Sequence, residues 1–262
     1  MEIRKHPYWN GKNILISGAS SGIGEALAVA IASRGARVGL IARRRAELER
    51  ISRDIASLGG AAAVFECDVS DEHSVQSAVG RFLETFGTPD IVIANAGIGG
   101  KAKLVEETAP ADIKTVLDIN LMGTVNLVSS VIGPMVAAGQ GQIVGVSSLA
   151  GFRGLPRSGA YSASKAAMTA FLESLRLEVA SKGISVTIIQ PGFIKTPLTS
   201  GRKNKMPFLM ELEDSIPLFL RAIEKRKRFS AFPWQLATIV RLGKMMPAAL
   251  YDWIASGLKY RQ

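Results

Sequence analysis

Between Asn13 and Ala28 an apolar run, a glycine-rich turn and a second apolar run follow one another without a break, and that order constrains the fold more than any other feature of the chain. Asn13-Ile14-Leu15-Ile16-Ser17 has strand character, and Gly18-Ala19-Ser20-Ser21-Gly22-Ile23-Gly24 has the small residues of a tight turn. A helix is expected to open near Ser21. In such a unit the glycines serve the turn itself, the close approach of backbone to a pyrophosphate, and the close packing of helix on strand. The helix N-terminus offers its unpaired N–H groups and the positive end of its dipole to the phosphates. With a strand before it and a helix after it, the turn reads as a dinucleotide site built from Gly18, Ser20, Ser21, Gly22, Ile23 and Gly24.

The rest of the chain keeps the same rhythm. Strand-like runs at Val38 to Ala42, Ala62 to Glu66, Asp90 to Ala94, Gln142 to Ser147 and Ile184 to Gln190 alternate with longer amphipathic stretches. Alternation of this kind predicts an α/β fold, a doubly wound parallel sheet with right-handed crossovers. At 262 residues the chain suits one such domain, with a core over about 10–200, a variable loop over about 198–228 and a C-terminal helical extension over about 234–262. The ligand site is expected outside the carboxyl ends of the strands.

The end of the second strand, Arg37 to Ala42, is where a dinucleotide's adenosine ribose is read. An acid there binds a ribose 2′-hydroxyl, whereas arginine accommodates a 2′-phosphate. This chain continues Arg43-Arg44-Arg45, with no acid before Glu47. The expectation is NADP(H), with Arg43 as the main contact, Arg44 as a second, and Arg45 already on the solvated start of the next helix.

Tyr161 and Lys165 lie four residues apart, on one face of a helix, and Ser148 is thirteen residues before Tyr161. A free tyrosine titrates near ~10, and a neighbouring ammonium lowers that value by favouring the phenolate. Tyr161 so placed is a usable general acid or base, while Ser148 could hold a carbonyl oxygen. Tyr-x-x-x-Lys alone carries little weight; joined to the dinucleotide turn, it describes a ketone reduction.

These motifs fall in an order that resembles the classical short-chain dehydrogenase/reductase family, from about Lys12 to Thr196. Ser17 stands where that family more often has Thr, and the hydroxyl survives the change. Cys67-Asp68-Val69 resembles the adenine-contacting segment, Ala94-Asn95-Ala96-Gly97 the motif that supports the sheet and lines the cofactor site, and Pro191-Gly192 to Thr196, through Ile194, the segment beside the nicotinamide. Asn120 matches the helix asparagine of the family's catalytic tetrad. The resemblance implies hydride transfer between nicotinamide and a carbonyl carbon, with Ser148 orienting the oxygen and Tyr161 moving the proton. It also implies that Lys165 lowers the Tyr161 pKa and contacts the nicotinamide ribose, and with Asn120 completes a proton relay.

His6 and His73 are far apart and Cys67 is the lone cysteine, so the sequence offers no metal constellation and no disulfide within one chain. Met1-Glu2-Ile3-Arg4-Lys5 lacks the apolar stretch of a secretory signal, and a cytoplasmic location is expected.

The formal charge of +10 is unevenly spread: residues 200–262 hold 12 Lys or Arg against 5 Asp or Glu, the preceding residues 20 against 17. The cations cluster at Arg202-Lys203-Asn204-Lys205 and Lys225 to Arg228. A strand-like piece at Phe229 to Pro233 then precedes the extension, which Pro247 divides into two short helices. Neither half reaches the ~20 apolar residues of a membrane span. Two readings remain open. The extension either attaches peripherally to a membrane, with Trp and Tyr at the interface and cations beside an anionic leaflet, or it covers the substrate pocket or a second subunit in a homodimer or homotetramer. The aromatics follow no stacking pattern for nucleic acid. Met206 to Met210, Ile216 to Leu220 and Gly151 to Pro156 suggest apolar pocket walls, and hence a hydrophobic ketone or secondary alcohol as substrate. The other readings are a 3-oxoacyl thioester reductase and a non-catalytic NADP-binding sensor.

Overall fold

A computed structural model describes residues 6–200 and 206–257. The cations Arg202, Lys203, Lys205, Lys259 and Arg261 lie outside the described residues. In chain order the elements are β1 (Asn13–Ser17), α1 (Gly22–Ala32), β2 (Arg37–Ala42), α2 (Arg45–Ser57), β3 (Ala61–Glu66), α3 (Glu72–Phe86), β4 (Ile91–Ala94) and α4 (Pro110–Leu117). There follow α5 (Gly123–Ala137), β5 (Gly141–Val146), α6 (Gly159–Val179), β6 (Ile184–Pro191), α7 (Leu212–Glu224), β7 (Phe229–Phe232), α8 (Trp234–Met245) and α9 (Ala248–Gly257).

The strands form one seven-stranded parallel sheet in the order β3-β2-β1-β4-β5-β6-β7. The chain reverses direction across the sheet between β1 and β4, so their carboxyl ends open a crevice at the switch point. Side chains alternate along each strand. On β1, Ile14 and Ile16 join Leu27, Ile31, Leu48, Ile51 and Phe219 on the face covered by α1, α2 and α7, while Leu15 joins Phe82, Leu127, Met168 and Leu172 on the face covered by α3, α5 and α6. Both faces are dry, which is why the strands read as continuous apolar runs.

The expected strands form within a residue or so of their predicted ends, and Pro247 separates α8 from α9 as anticipated. One helical run among the described residues, Pro110–Ala137, is long and apolar enough to cross a bilayer, but half of its apolar window is buried and it packs on α3 and α6. It is a core helix, and within it a π-helical segment at Asp118–Met122 carries Asn120.

Candidate active site

At the carboxyl ends of β1, β2, β4, β5 and β6 lies a cavity of about 1610 Å³. Its walls include Gly18, Ser20, Ser21, Gly22, Ile23, Arg43, Arg44, Asp68, Val69, Asn95, Ala96, Gly97, Ser148, Tyr161, Lys165, Pro191, Gly192, Ile194 and Thr196. The two remaining sequence-predicted site residues, Gly24 and Asn120, stand behind its wall.

The glycine turn is shaped by close approach. A Cβ on Gly24 would overlap the carbonyl oxygen of Gly18, and one on Gly18 would come within 2.7 Å of the Ala96 backbone. Gly18 and Gly22 also have φ of 66° and 56°, in the region that favours glycine. Ser17 ties the turn to β4: its Oγ accepts the backbone N–H groups of Asn95 (3.1 Å) and Ala96 (3.2 Å), and the Asn95 amide donates to the carbonyls of Ser17 and Gly18. Ser21 stands at the N-cap position of α1 without a side-chain capping bond, so the first N–H groups of the helix are left unpaired by it at the cavity wall. The turn leaves room for backbone to meet a pyrophosphate, so these residues fit a dinucleotide.

Where β2 ends, Arg44 donates to the Ser20 carbonyl at 3.1 Å, to Ser20 Oγ at 2.9 Å and to Ser21 Oγ at 2.8 Å. Arg43 is largely exposed, and its guanidinium lies 3.6 Å from the Asp68 carboxylate. Burial alone would raise the Asp68 pKa, but hydrogen bonds from Ser70 and the charge of Arg43 outweigh it and hold the carboxyl below the usual range. Both arginines expected at the 2′-phosphate thus line the cavity, Arg44 bonded to Ser20 and Ser21 of the turn and Arg43 beside Asp68.

The four residues expected from sequence to handle the proton come from three elements. Tyr161 and Lys165 lie one turn apart on α6, and Lys165 Nζ sits 6.0 Å from the centroid of the Tyr161 ring. Lys165 is buried and donates to the Val146 carbonyl at 2.8 Å. Burial without a carboxylate partner pushes its pKa down to about 8. Ser148 follows β5 in extended conformation and its Oγ accepts the Ala150 N–H at 3.1 Å. The short helical turn after it packs so tightly on α6 that a Cβ on Gly151 would reach the Lys165 backbone at 2.9 Å, which fixes Ser148 relative to Lys165. Asn120 is fully buried, exchanges hydrogen bonds with the Ile98 backbone and donates to Ser164 Oγ at 3.0 Å.

Three contributors were not singled out from sequence. Ser164, inside the Tyr161 to Lys165 turn, links Asn120 to α6. Ser147 bonds the Lys165 carbonyl and Thr169, clasping β5 to α6. Arg153 donates to the Gly243 carbonyl at 2.9 Å and stacks 4.2 Å from the Tyr251 ring, holding α8 and α9 against the cavity. Ser164, by its place between Tyr161 and Lys165, and Arg153, by its place in the wall stretch Gly151 to Pro156, gave a signal in the sequence.

The family model for short chain dehydrogenase matches residues 12–207. The chain belongs to the short-chain dehydrogenase/reductase family. An uncharacterized oxidoreductase of Myxococcus xanthus is 38% identical, over 95% of this chain and 98% of its own. Among solved structures, a 3-oxoacyl-[acyl-carrier protein] reductase of Brucella melitensis with bound NAD is 32% identical with a TM-score of 0.76, covering 88% of this chain and 92% of that one. A metagenomic short-chain oxidoreductase in complex with NADP is 28% identical with a TM-score of 0.72, covering 86% and 97%. Family membership makes the chain an oxidoreductase of the CH–OH/C=O type with a nicotinamide cofactor, and the site's glycine turn is of the form such a cofactor needs.

Proposed function

We propose that this short-chain dehydrogenase/reductase is NADP(H)-dependent and interconverts an apolar ketone and its secondary alcohol, with Tyr161 as the general acid and base. The observation that carries the reading is the dry ammonium of Lys165 beside the Tyr161 ring, in a cavity shared with Ser148 and the glycine turn. The bound nicotinamide would supply or accept the hydride. Ser148 Oγ orients the substrate oxygen, and Tyr161 Oη gives it a proton in reduction or takes one in oxidation. Lys165 favours the phenolate by its charge, and the Asn120 and Ser164 pair keeps α6 in register with the segment after β4.

Preference for the 2′-phosphate is supported by Arg43, by Arg44 against Ser20 and Ser21, and by the lack of an acid where β2 ends. An apolar substrate is supported by the wall of Leu149, Leu236, Val240, Met246 and Ile254. Fluorescence titration with NADPH and NADH, followed by turnover on apolar ketones, tests both: tighter NADPH binding and ketone-dependent oxidation are expected, and equal affinities with no turnover would refute the reading.

A second reading, reduction of a 3-oxoacyl thioester, is favoured by likeness to the Brucella reductase and shares the same proton step. Peripheral membrane attachment is favoured by the outer face of α8 and α9, where Trp234, Met245 and Trp253 are exposed beside Arg241 and Lys244. Sedimentation with anionic vesicles tests it, and a protein that stays in the supernatant rejects it. Pairing into a homodimer or homotetramer on the cytoplasmic side completes the proposal.

A further inference from the structure

Beside the large cavity, at the start of α6, lies a second, smaller recess of about 30 Å³. It shares Arg157, Ser158 and Tyr161 with the large cavity. Its charged lining is Lys101, Lys103, Arg157 and Asp112. Asp112 is already engaged by Lys101 at 3.1 Å. Among the described residues neither Arg157 nor Lys103 forms an ion pair. Arg157 is half-buried, and its backbone has φ 60°, a conformation non-glycine residues seldom take. Partial burial of a charge without a counter-charge is unfavourable. The recess thus has one half-buried cation without an ion pair, Arg157, with the exposed Lys103 at its edge, and its volume of about 30 Å³ has room for about two water-sized groups. A carboxylate, or the outer oxygens of a phosphate, are of that size, and both match the planar fork of an arginine.

We propose that this recess is an anion site for the substrate, a reading that rests on the carbonyl chemistry assigned above to Tyr161. Because Tyr161 forms a wall of the recess, the anionic group lies a few bonds from the reacting carbon, held by Arg157 with Lys103. The apolar remainder of the molecule lies along Leu149, Leu236 and Val240. The substrate class is an amphiphilic ketone or secondary alcohol with a carboxylate or phosphate near the reacting carbon.

The test uses ketones of matched length ending in a carboxylate, a phosphate monoester or a neutral methyl ester, with NADPH and the full chain. The wild type is expected to favour at least one anion over the ester by about ten-fold or more in kcat/KM, as charge-assisted bonds allow. The better anion identifies the source of the charge. Arg157→Ala is expected to cut that ratio about ten-fold through KM, with partial recovery in Arg157→Lys. An ester turned over as well as both anions, or a ratio unmoved by Arg157→Ala, overturns the site. Calorimetry of the NADP-loaded protein with an alkanoate, an alkyl phosphate and an alkanol needs no turnover. Anion binding lost in Arg157→Ala supports the site even if every ketone is inert, a result that would instead refute the carbonyl reading; no anion binding by wild type overturns the site itself.

Discussion

The cofactor half of the cavity and its C-terminal wall are held in opposite ways. Around the glycine turn the chain is packed without slack: Gly24 stands against the Gly18 carbonyl, the Ser17 hydroxyl clasps the Asn95 and Ala96 backbone, and the Arg44 guanidinium clamps Ser20 and Ser21. Along the wall, α8 buries Leu236 and Ala237, while Trp234, Met245 and Trp253 are 71%, 83% and 74% exposed. The wall is fastened at its far end by the Arg153 bond to Gly243, the Arg153 stack on Tyr251 and the Tyr251 hydroxyl donating to the Gly154 carbonyl. The first half turns on glycines whose places leave no room for a Cβ; the second rests on a few contacts made by the side chains of Arg153 and Tyr251. Such a division lets one chemistry be kept while the substrate changes.

The sharpest way to break the comparison is at the chemistry. Tyr161→Phe is expected to retain NADPH binding and lose about 10²- to 10⁴-fold in turnover, measured by steady-state reduction. Gly24→Ala, by contrast, is expected to weaken the cofactor itself by roughly 10- to 100-fold, since the new Cβ overlaps backbone that cannot yield; titration of NADPH fluorescence reads it.

The pH profile separates the halves by another route. Burial holds the Lys165 pKa near about 8 in the folded chain, whereas the unfolded lysine keeps its proton to ~10.4. Above pH 8 the free enzyme loses the ammonium, and kcat/KM for reduction is expected to fall about ten-fold per unit. Over the same window the unfolded chain binds more protons than the folded one, so the stability contribution of Lys165 rises with pH. Lys165→Met is expected to remove both slopes, and denaturation curves across pH 8 to 10 check the second.

Smaller effects are expected at the two ends of the cavity. Arg43→Ala should reduce the NADPH-to-NADH affinity ratio by roughly ten-fold, as loss of a charge-assisted phosphate contact would, and equal losses for both nucleotides would reject that contact. Arg153→Ala should cost about 1 kcal/mol of stability by urea denaturation, for a hydrogen bond and a cation–π stack at the far end of the wall.

The same contrast explains how much the sequence could tell. β1, the turn and α1 were legible because each residue's job is local: a Gly where a Cβ would strike backbone, a Ser at the helix cap, an i, i+4 pair on α6. The break at Pro247 was legible for the same reason, since proline lacks the N–H that would continue α8. Arg153 fell in an expected wall stretch but gave no sign of what it fastens, because its partners, Gly243 and Tyr251, lie on helices far along the chain. Nor could periodicity decide which face of α8 turns inward. Leu236 and Val240 line the cavity, and Trp234, Arg241 and Met245, at helical spacings of seven and four, share the outer face. The substrate readings left open in the sequence are open for this reason: they belong to the wall.

The most direct measurement is the single-turnover loss of NADPH fluorescence after mixing the loaded enzyme with a panel of ketones, wild type beside Tyr161→Phe. The account predicts that both proteins bind NADPH more tightly than NADH and that only the wild type oxidises it at an appreciable rate. NADPH consumed equally fast by Tyr161→Phe, or bound by wild type and consumed with none of the ketones, would contradict it.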